Sequence, residues 1–198
     1  MDKLSINRAL ISVTDKSGIT DLGKSLSELG VELVSTGGTY KQLFNAGLQV
    51  TQVSDITGFP EVLGGRVKTL HPHIHAGIMA DKDSQEHMQS LEKMGIQPFD
   101  LVCVNLYDFA GALERNLSDK ELVEEIDIGG PTLLRAAAKN FHSLCVLPDP
   151  SFYQTFLQEM KENNNLVGLA FRKEAAAYAF SMTSLYDSMI ARGLGTDQ

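Results

Sequence analysis

Arg66 and Lys68 in the run Arg66-Val67-Lys68-Thr69-Leu70-His71-Pro72, Asp127 within Ile126-Asp127-Ile128-Gly129-Gly130, and Lys139 all place charge among apolar residues and glycines. An ion removed from water costs on the order of several kcal/mol unless it is paired or holds a ligand, a cost comparable with a domain's net stability. These residues therefore read as a site. Asp127 and Lys139 would form a proton-transfer pair, each shifting the other's pKa, or else a structural salt bridge. Thr132, Arg135 and Lys139 stand at i, i+3 and i+7 on one helix face, which is expected to look toward Asp127. Arg66 and Lys68 follow Gly64-Gly65, where the backbone can approach a ligand closely. They would hold a phosphate or polarise a carbonyl, the alternative being a solvated basic loop.

Two further segments suit an anion. Thr14-Asp15-Lys16-Ser17-Gly18 and Thr36-Gly37-Gly38-Thr39 each follow a strand-like run and open a helical pattern, so their N–H groups and hydroxyls would converge on a phosphate. A Gly-Gly turn alone is more often only a cap. Asn105 and Tyr107 end the apolar run 101–106, where Asn105 would hold a substrate amide and Tyr107 would donate to an oxygen or simply pack in the core. His71, His73 and His75 alternate as strand-borne metal ligands would. Pro72 interrupts such a strand, and no Cys or carboxylate supports it at a ligand spacing, so no metal site is expected. Cys103 and Cys145 lack a CxxC spacing and cationic neighbours and read as buried core thiols, a bridge between them being the alternative, while no Ser sits in a GxSxG elbow.

The elements that must position these residues alternate. Strand-like runs at 9–13, 31–34, 48–53, 101–106 and 144–147 are interleaved with helical spacings. Among the latter are Ile19, Leu22, Leu26 and Leu29 before Gly30, a short helix 40–46 before Gly47, and Met88, Leu91 and Met94 before Gly95. Ser118-Asp119-Lys120-Glu121 fits a capping box for a helix to about 126, and Pro131 suits the first turn of a helix over 132–141. Tyr153, Phe156, Leu157 and Met160 stripe the next helix. An Asn163-Asn164-Asn165 break then precedes a long alanine-rich helix over about 167–191. Segment 54–80 reads as a functional loop with short pieces of structure. The run 101–106, apolar on both faces, is expected to be the central strand. The pattern predicts an α/β fold, a mainly parallel sheet with helices on both faces, with ligands binding beyond the carboxyl ends of the strands. No GxGxxG supports a dinucleotide site.

Composition bounds the function. The chain has 198 residues, 43% hydrophobic and 21% charged, with a formal net charge of −8. These values fit one globular domain over residues 1–198 and argue against a nucleic-acid surface, while leaving room for a small anion in a local basic pocket. No apolar run approaches the ~20 residues of a membrane span and Met1-Asp2-Lys3 lacks a secretion signal, so a cytoplasmic protein with no membrane partner is expected.

The motifs in order resemble the inosine monophosphate (IMP) cyclohydrolase domain of the bifunctional purine-biosynthesis family. They are residues 12–16, 35–39, 57–61, 64–72 with 75–77, 105–107, 126–130 and 133–140, and together they span nearly the whole chain. The resemblance implies a methylglyoxal-synthase-like three-layer α/β fold and closure of the purine ring of FAICAR with loss of water to give IMP, with no cofactor. It implies Lys139 as proton donor and acceptor with Asp127 as its partner, Lys68 as the cation at the carboxamide or developing negative charge, and Tyr107 as a hydrogen-bonding group beside it. Thr14, Asp15, Lys16, Thr36, Gly37, Gly38, Thr39, Arg66, Val67, Lys68, Thr69, Val104, Asn105, Asp127 and Ile128 match the family's nucleotide-binding segments, the two turns holding the 5′-phosphate. The resemblance also implies a homodimer. Two departures stand out: Asp108 follows Tyr107 where the family usually has Pro, and the formyltransferase domain is absent. The chain is therefore expected to be a stand-alone or excised cyclohydrolase, partnered functionally by a separate AICAR formyltransferase. Two minor alternatives remain: a regulatory methylglyoxal-synthase-like domain that senses a phosphorylated metabolite, for which the set Lys68, Asp127 and Lys139 has no purpose, and methylglyoxal synthase, which leaves the segment 64–77 unexplained.

Overall fold

Short apolar strands joined through helices cannot pair as hairpins, and five of them lie in parallel. The computed structural model describes residues 1–195; residues 196–198, which the single-domain expectation includes, lie outside the described residues. In chain order the elements are β1 (Lys3–Ser5), β2 (Arg8–Ser12), α1 (Ile19–Glu28), β3 (Glu32–Ser35), α2 (Gly37–Asn45), β4 (Val50–Gln52), α3 (Val53–Thr57) and a single 3-10 turn at Leu63–Gly65. There follow α4 (Pro72–Met79), α5 (Gln85–Lys93), β5 (Leu101–Val104), α6 (Phe109–Glu114), α7 (Asp119–Glu124), α8 (Gly129–Lys139), β6 (Cys145–Leu147), α9 (Phe152–Glu162), β7 (Leu166–Gly168) and α10 (Leu169–Leu194).

The main sheet has the order β4-β3-β2-β5-β6, and β1 pairs antiparallel with β7 to one side. All four neighbour pairs of the main sheet are parallel, with Ile11 opposite both Ser35 and Cys103, and Cys103 opposite Leu147. Side chains alternate between faces, so each strand contributes to two cores. Ile11, Leu33, Cys103 and Leu147 pack with α1 and α9 on one face. On the other, Leu10, Val34, Val102, Val104 and Val146 pack with α4, α8 and α10 through Ile74, Ile78, Leu134, Ala137 and Ala175. This is the three-layer α/β arrangement that the alternating pattern predicts.

Several expectations change. The central strand is β2; β5 is interior but second from the edge, its run being apolar because both faces are covered by helices. The helix after the second strand of the sheet begins at Gly37, three residues earlier than expected, and Gly37 itself has φ +56°, a conformation that favours glycine. The 54–80 segment contains α4, whose entry His71 caps by accepting from the His73 N–H through Nδ1 at 3.2 Å, with Pro72 in the first turn. His73 and His75 therefore lie on a helix and not on a strand. β1, β7 and α6 carry too few residues for periodicity to show them.

The chain runs from β2 outward through β3 and β4, then returns to β2's other side with β5 and β6. The direction of winding thus reverses between β2 and β5, and beyond their carboxyl ends such a sheet leaves a crevice.

Candidate active site

At that crevice lies a cavity of about 1010 Å3. Its walls are the ends of β2 and β5 (Ser12 to Thr14, Val104, Asn105), the first turn of α2 (Thr36, Gly38, Thr39), the 64–70 segment, Tyr107, and the loop into α8 (Ile126 to Gly130). Pockets of this order hold small organic ligands.

At one end, two ammonium groups converge on the α2 N-terminus. A Cβ built on Gly37 would stand 3.7 Å from Lys68 Nζ, and one on Gly38 would stand 3.7 Å from Lys16 Nζ. Among the described residues neither lysine forms an ion pair. The N–H groups of a first helical turn, of which the Gly37 N–H meets the Glu61 carboxylate, and two cations make this the anion-binding end. Asn105 shapes it: its Oδ1 accepts the N–H groups of Thr14 (2.7 Å) and Asp15 (3.1 Å), and its Nδ2 donates to Asp15 O at 2.8 Å. Its carbonyl oxygen is thus engaged by the loop it supports, which leaves only the amide nitrogen to meet a ligand. Asp15 turns from the cavity toward Ser17, whose side-chain and backbone hydrogen bonds hold its carboxyl below the usual range. Thr39 clips α2 to β2, accepting from and donating to the Val13 backbone at 3.0 and 2.9 Å.

At the other end stands Asp127. Burial pushes its pKa up, against the opposing pull of the Gly130 N–H at 2.9 Å, the charge of Lys68, and the N–H groups of Gly129 and Tyr107. The glycine at 130 is required, since a Cβ there would come within 2.3 Å of the Asp127 carboxylate. The Tyr186 hydroxyl, brought by α10, accepts the Asp127 N–H at 2.8 Å and fixes the loop from behind. A half-buried carboxylate with a raised pKa beside a cation and a phenol is suited to proton transfer. Thr69, buried, and Ile128, exposed, complete this wall.

The structure does not bring together everything the sequence reading expected. Lys139 is the last residue of α8, exposed and outside the cavity lining, while Asp127 stands two residues before the first residue of the helix. At 1.5 Å per residue the helix carries Lys139 about 15 Å away, to the opposite edge of the sheet, so no pair with Asp127 forms within the chain. Arg135, exposed on the same helix, lies over the Phe180 ring at 5.6 Å. Arg66 lines the mouth but pairs with Glu124 of α7, strapping the 59–70 segment across. Val67 is bridged to Val62 and is not a wall residue. Asp108 caps α6 through a hydrogen bond from the Gly111 N–H at 2.9 Å, a role that Pro at this position could not fill.

Two residues at the site, Glu61 and Tyr186, carry no sequence signal of their role. Glu61 falls within the 57–61 motif, where no neighbour marks it as an acceptor for the α2 N-terminus 24 residues away at Gly37. Tyr186, 59 residues from Asp127, left no local signal.

The chain belongs to the MGS-like domain family, whose model matches residues 18–132. A second model, the AICARFT/IMPCHase bienzyme, matches residues 137–198. The chain is 53% identical over 189 residues to the "Bifunctional purine biosynthesis protein PurH" of Clostridium botulinum strain Hall, an alignment covering 96% of this chain and 38% of that protein. The PurH of strain Loch Maree is 52% identical over the same length. The chain thus spans about two fifths of the length of these curated relatives. Among solved structures, the "Crystal structure of ForH" superimposes with a TM-score of 0.82 at 35% identity, covering 96% of this chain and 100% of that one.

Proposed function

We propose that the chain is an IMP cyclohydrolase that closes the purine ring of FAICAR with loss of water. The observation that carries this is the polarity of the cavity: an anion-binding end built on α2, Lys16 and Lys68, and a half-buried carboxyl of raised pKa at the other end, Asp127, under the charge of Lys68. The PurH relatives and the AICARFT/IMPCHase match support the same assignment.

In this scheme the α2 turn and Lys16 hold the 5′-phosphate, so that the base extends toward Asp127. Asp127 takes a proton from the carboxamide nitrogen as that nitrogen attacks the formyl carbon. Lys68 and the Tyr107 hydroxyl stabilise the negative charge that gathers on the formyl oxygen. Asp127 returns the carboxamide proton to that oxygen, and the formamide N–H gives up the second proton as its nitrogen forms the ring C=N bond and the oxygen leaves as water. Positioning, proton transfer and fixed charge supply the rate without redox chemistry. Asp15, Asn105 and Thr39 act by shaping the phosphate loop. Lys139 can enter only if a second copy of the chain carries it to the cavity, which the homodimer implied by the family resemblance would have to do. A cytoplasmic location, with FAICAR supplied by a separate AICAR formyltransferase, completes the proposal; no helix among the described residues is long and apolar enough to cross a membrane.

Ultraviolet detection of IMP formed from FAICAR by the purified chain, with chelator present and no added cofactor, is the test. Turnover is expected. Tight IMP binding without turnover would replace the enzyme with a phosphate-sensing domain.

A further inference from the structure

The α2 N-terminus already holds an anion, and the protein supplies it. Glu61 Oε1 accepts the Thr36 hydroxyl at 2.5 Å and the Gly37 N–H at 3.1 Å. The same oxygen stands 3.8 Å from where a Gly37 Cβ would be, with Lys68 Nζ at 3.7 Å from that point. Glu61 Oε2 reaches back to 3.8 Å from a Cβ built on Gly65, inside the Leu63–Gly65 turn. This one carboxylate therefore links the anion-binding helix end to the segment that bears Arg66 and Lys68. Glu61 is exposed and gains nothing by burial; its hydrogen bonds are those a phosphate oxygen would accept at a helix N-terminus.

Resting on the nucleotide reading of the cavity, we propose that Glu61 is a tethered stand-in for the substrate phosphate, and that a phosphate binds by displacing it and releasing the hold of the 59–70 segment on α2, the Arg66–Glu124 pair remaining. A group tethered by a short stretch of chain acts at an effective concentration on the order of millimolar, so only a ligand with comparable or better anion character displaces it. A phosphate carries a larger charge than a carboxylate and more acceptor oxygens. A nucleoside lacking phosphate cannot compete at this place and leaves the segment held. Glu61 thus makes release of the Thr36–Gly37 end of α2 conditional on a phosphorylated ligand, adding to the preference that Lys16 and Lys68 give the cavity.

Calorimetric titration of wild type, Glu61→Gln and Glu61→Ala with inorganic phosphate, IMP and inosine tests this, with melting curves to confirm that each variant is folded. Glu61→Gln keeps the shape and an acceptor oxygen but removes the charge. Both variants are expected to bind phosphate and IMP about 3- to 10-fold more tightly, the gain that follows when a competitor occupying most of the population is removed, while inosine binding stays unchanged. Weaker binding of phosphate and IMP would make Glu61 a ligand contact or a support and overturn the proposal. Unchanged affinities would overturn it too, as would equal tightening toward inosine, which would mean general loosening. The phosphate arm separates the two proposals: tighter phosphate binding without FAICAR turnover or IMP binding would sink the cyclohydrolase and keep Glu61 as the stand-in. Turnover with no gain in either variant would do the reverse.

Discussion

At the amino edge of the sheet Asp100 accepts Lys82 and the backbone N–H groups of Asn7 and Arg8 at 2.8 and 2.9 Å. There too Arg8 pairs with Glu32 at 3.1 Å over the Phe99 ring, and the fully buried Arg172 donates to the carbonyls of Phe141, His142 and Met1. At the carboxyl edge Lys16 and Lys68 have no ion pair among the described residues, and Asp127 is half-buried without forming one. Both edges place charge beside a core. At the amino edge, charges meet the protein's own carboxylates and carbonyls, which makes them architecture; the Arg172 Nε alone of these finds no partner among the described residues. At the carboxyl edge they are left partly unanswered, and only a ligand or a reacting group completes them.

This contrast can be broken at several points. Asp127→Asn is expected to lower FAICAR cyclisation by about 10²- to 10⁴-fold, with little change in melting temperature, measured by absorbance and thermal denaturation. Asp100→Ala, by contrast, leaves Lys82 uncompensated. It is expected to cost about 3–5 kcal/mol in urea denaturation while the folded fraction binds IMP as before. Lys16→Ala should weaken IMP about 10- to 100-fold by calorimetry, as loss of a charged hydrogen-bond donor does, without altering the denaturation midpoint. Lys139→Ala, on the amino edge, should leave IMP binding unchanged. If it abolishes turnover, a second copy must deliver Lys139, and mixing it with Asp127→Asn would then restore activity. The smallest effect concerns pH. Because burial raises the Asp127 pKa and Lys68 opposes that rise, loss of the Lys68 charge makes the proton bind more tightly. The carboxyl titration of Asp127, followed by NMR, should move to higher pH in Lys68→Met.

Much of this was legible from local pattern. The three- and four-residue spacing of Ile19, Leu22 and Leu26 marks α1, Ser118 and Glu121 mark the capped start of α7, and the apolar run 101–106 marks a strand covered on both faces, which the structure bounds at Leu101–Val104. Boundaries slipped where glycines were read as a turn, as at Gly37, because a helix can begin on a left-handed glycine. Lys68, Asp127 and Tyr107 were read as one site, and the fold gathers them. Lys139 was joined to them by its place on a shared helix face, but a face says nothing about distance along the axis, and eleven residues of helix separate the two ends.

The sequence alone determined the alternation of strands and helices, the two-sided burial of the strands and the residue types able to bind an anion, because each follows from periodicity and from the properties of single side chains. Which charges are answered and which remain open was decided only by the tertiary structure. That depends on how the winding reversal at β2 and β5 sorts residues to opposite edges of the sheet. Asn105 became a loop support, Glu61 an internal anion, and Lys139 a residue of the far edge, because each role is set by partners distant in the chain.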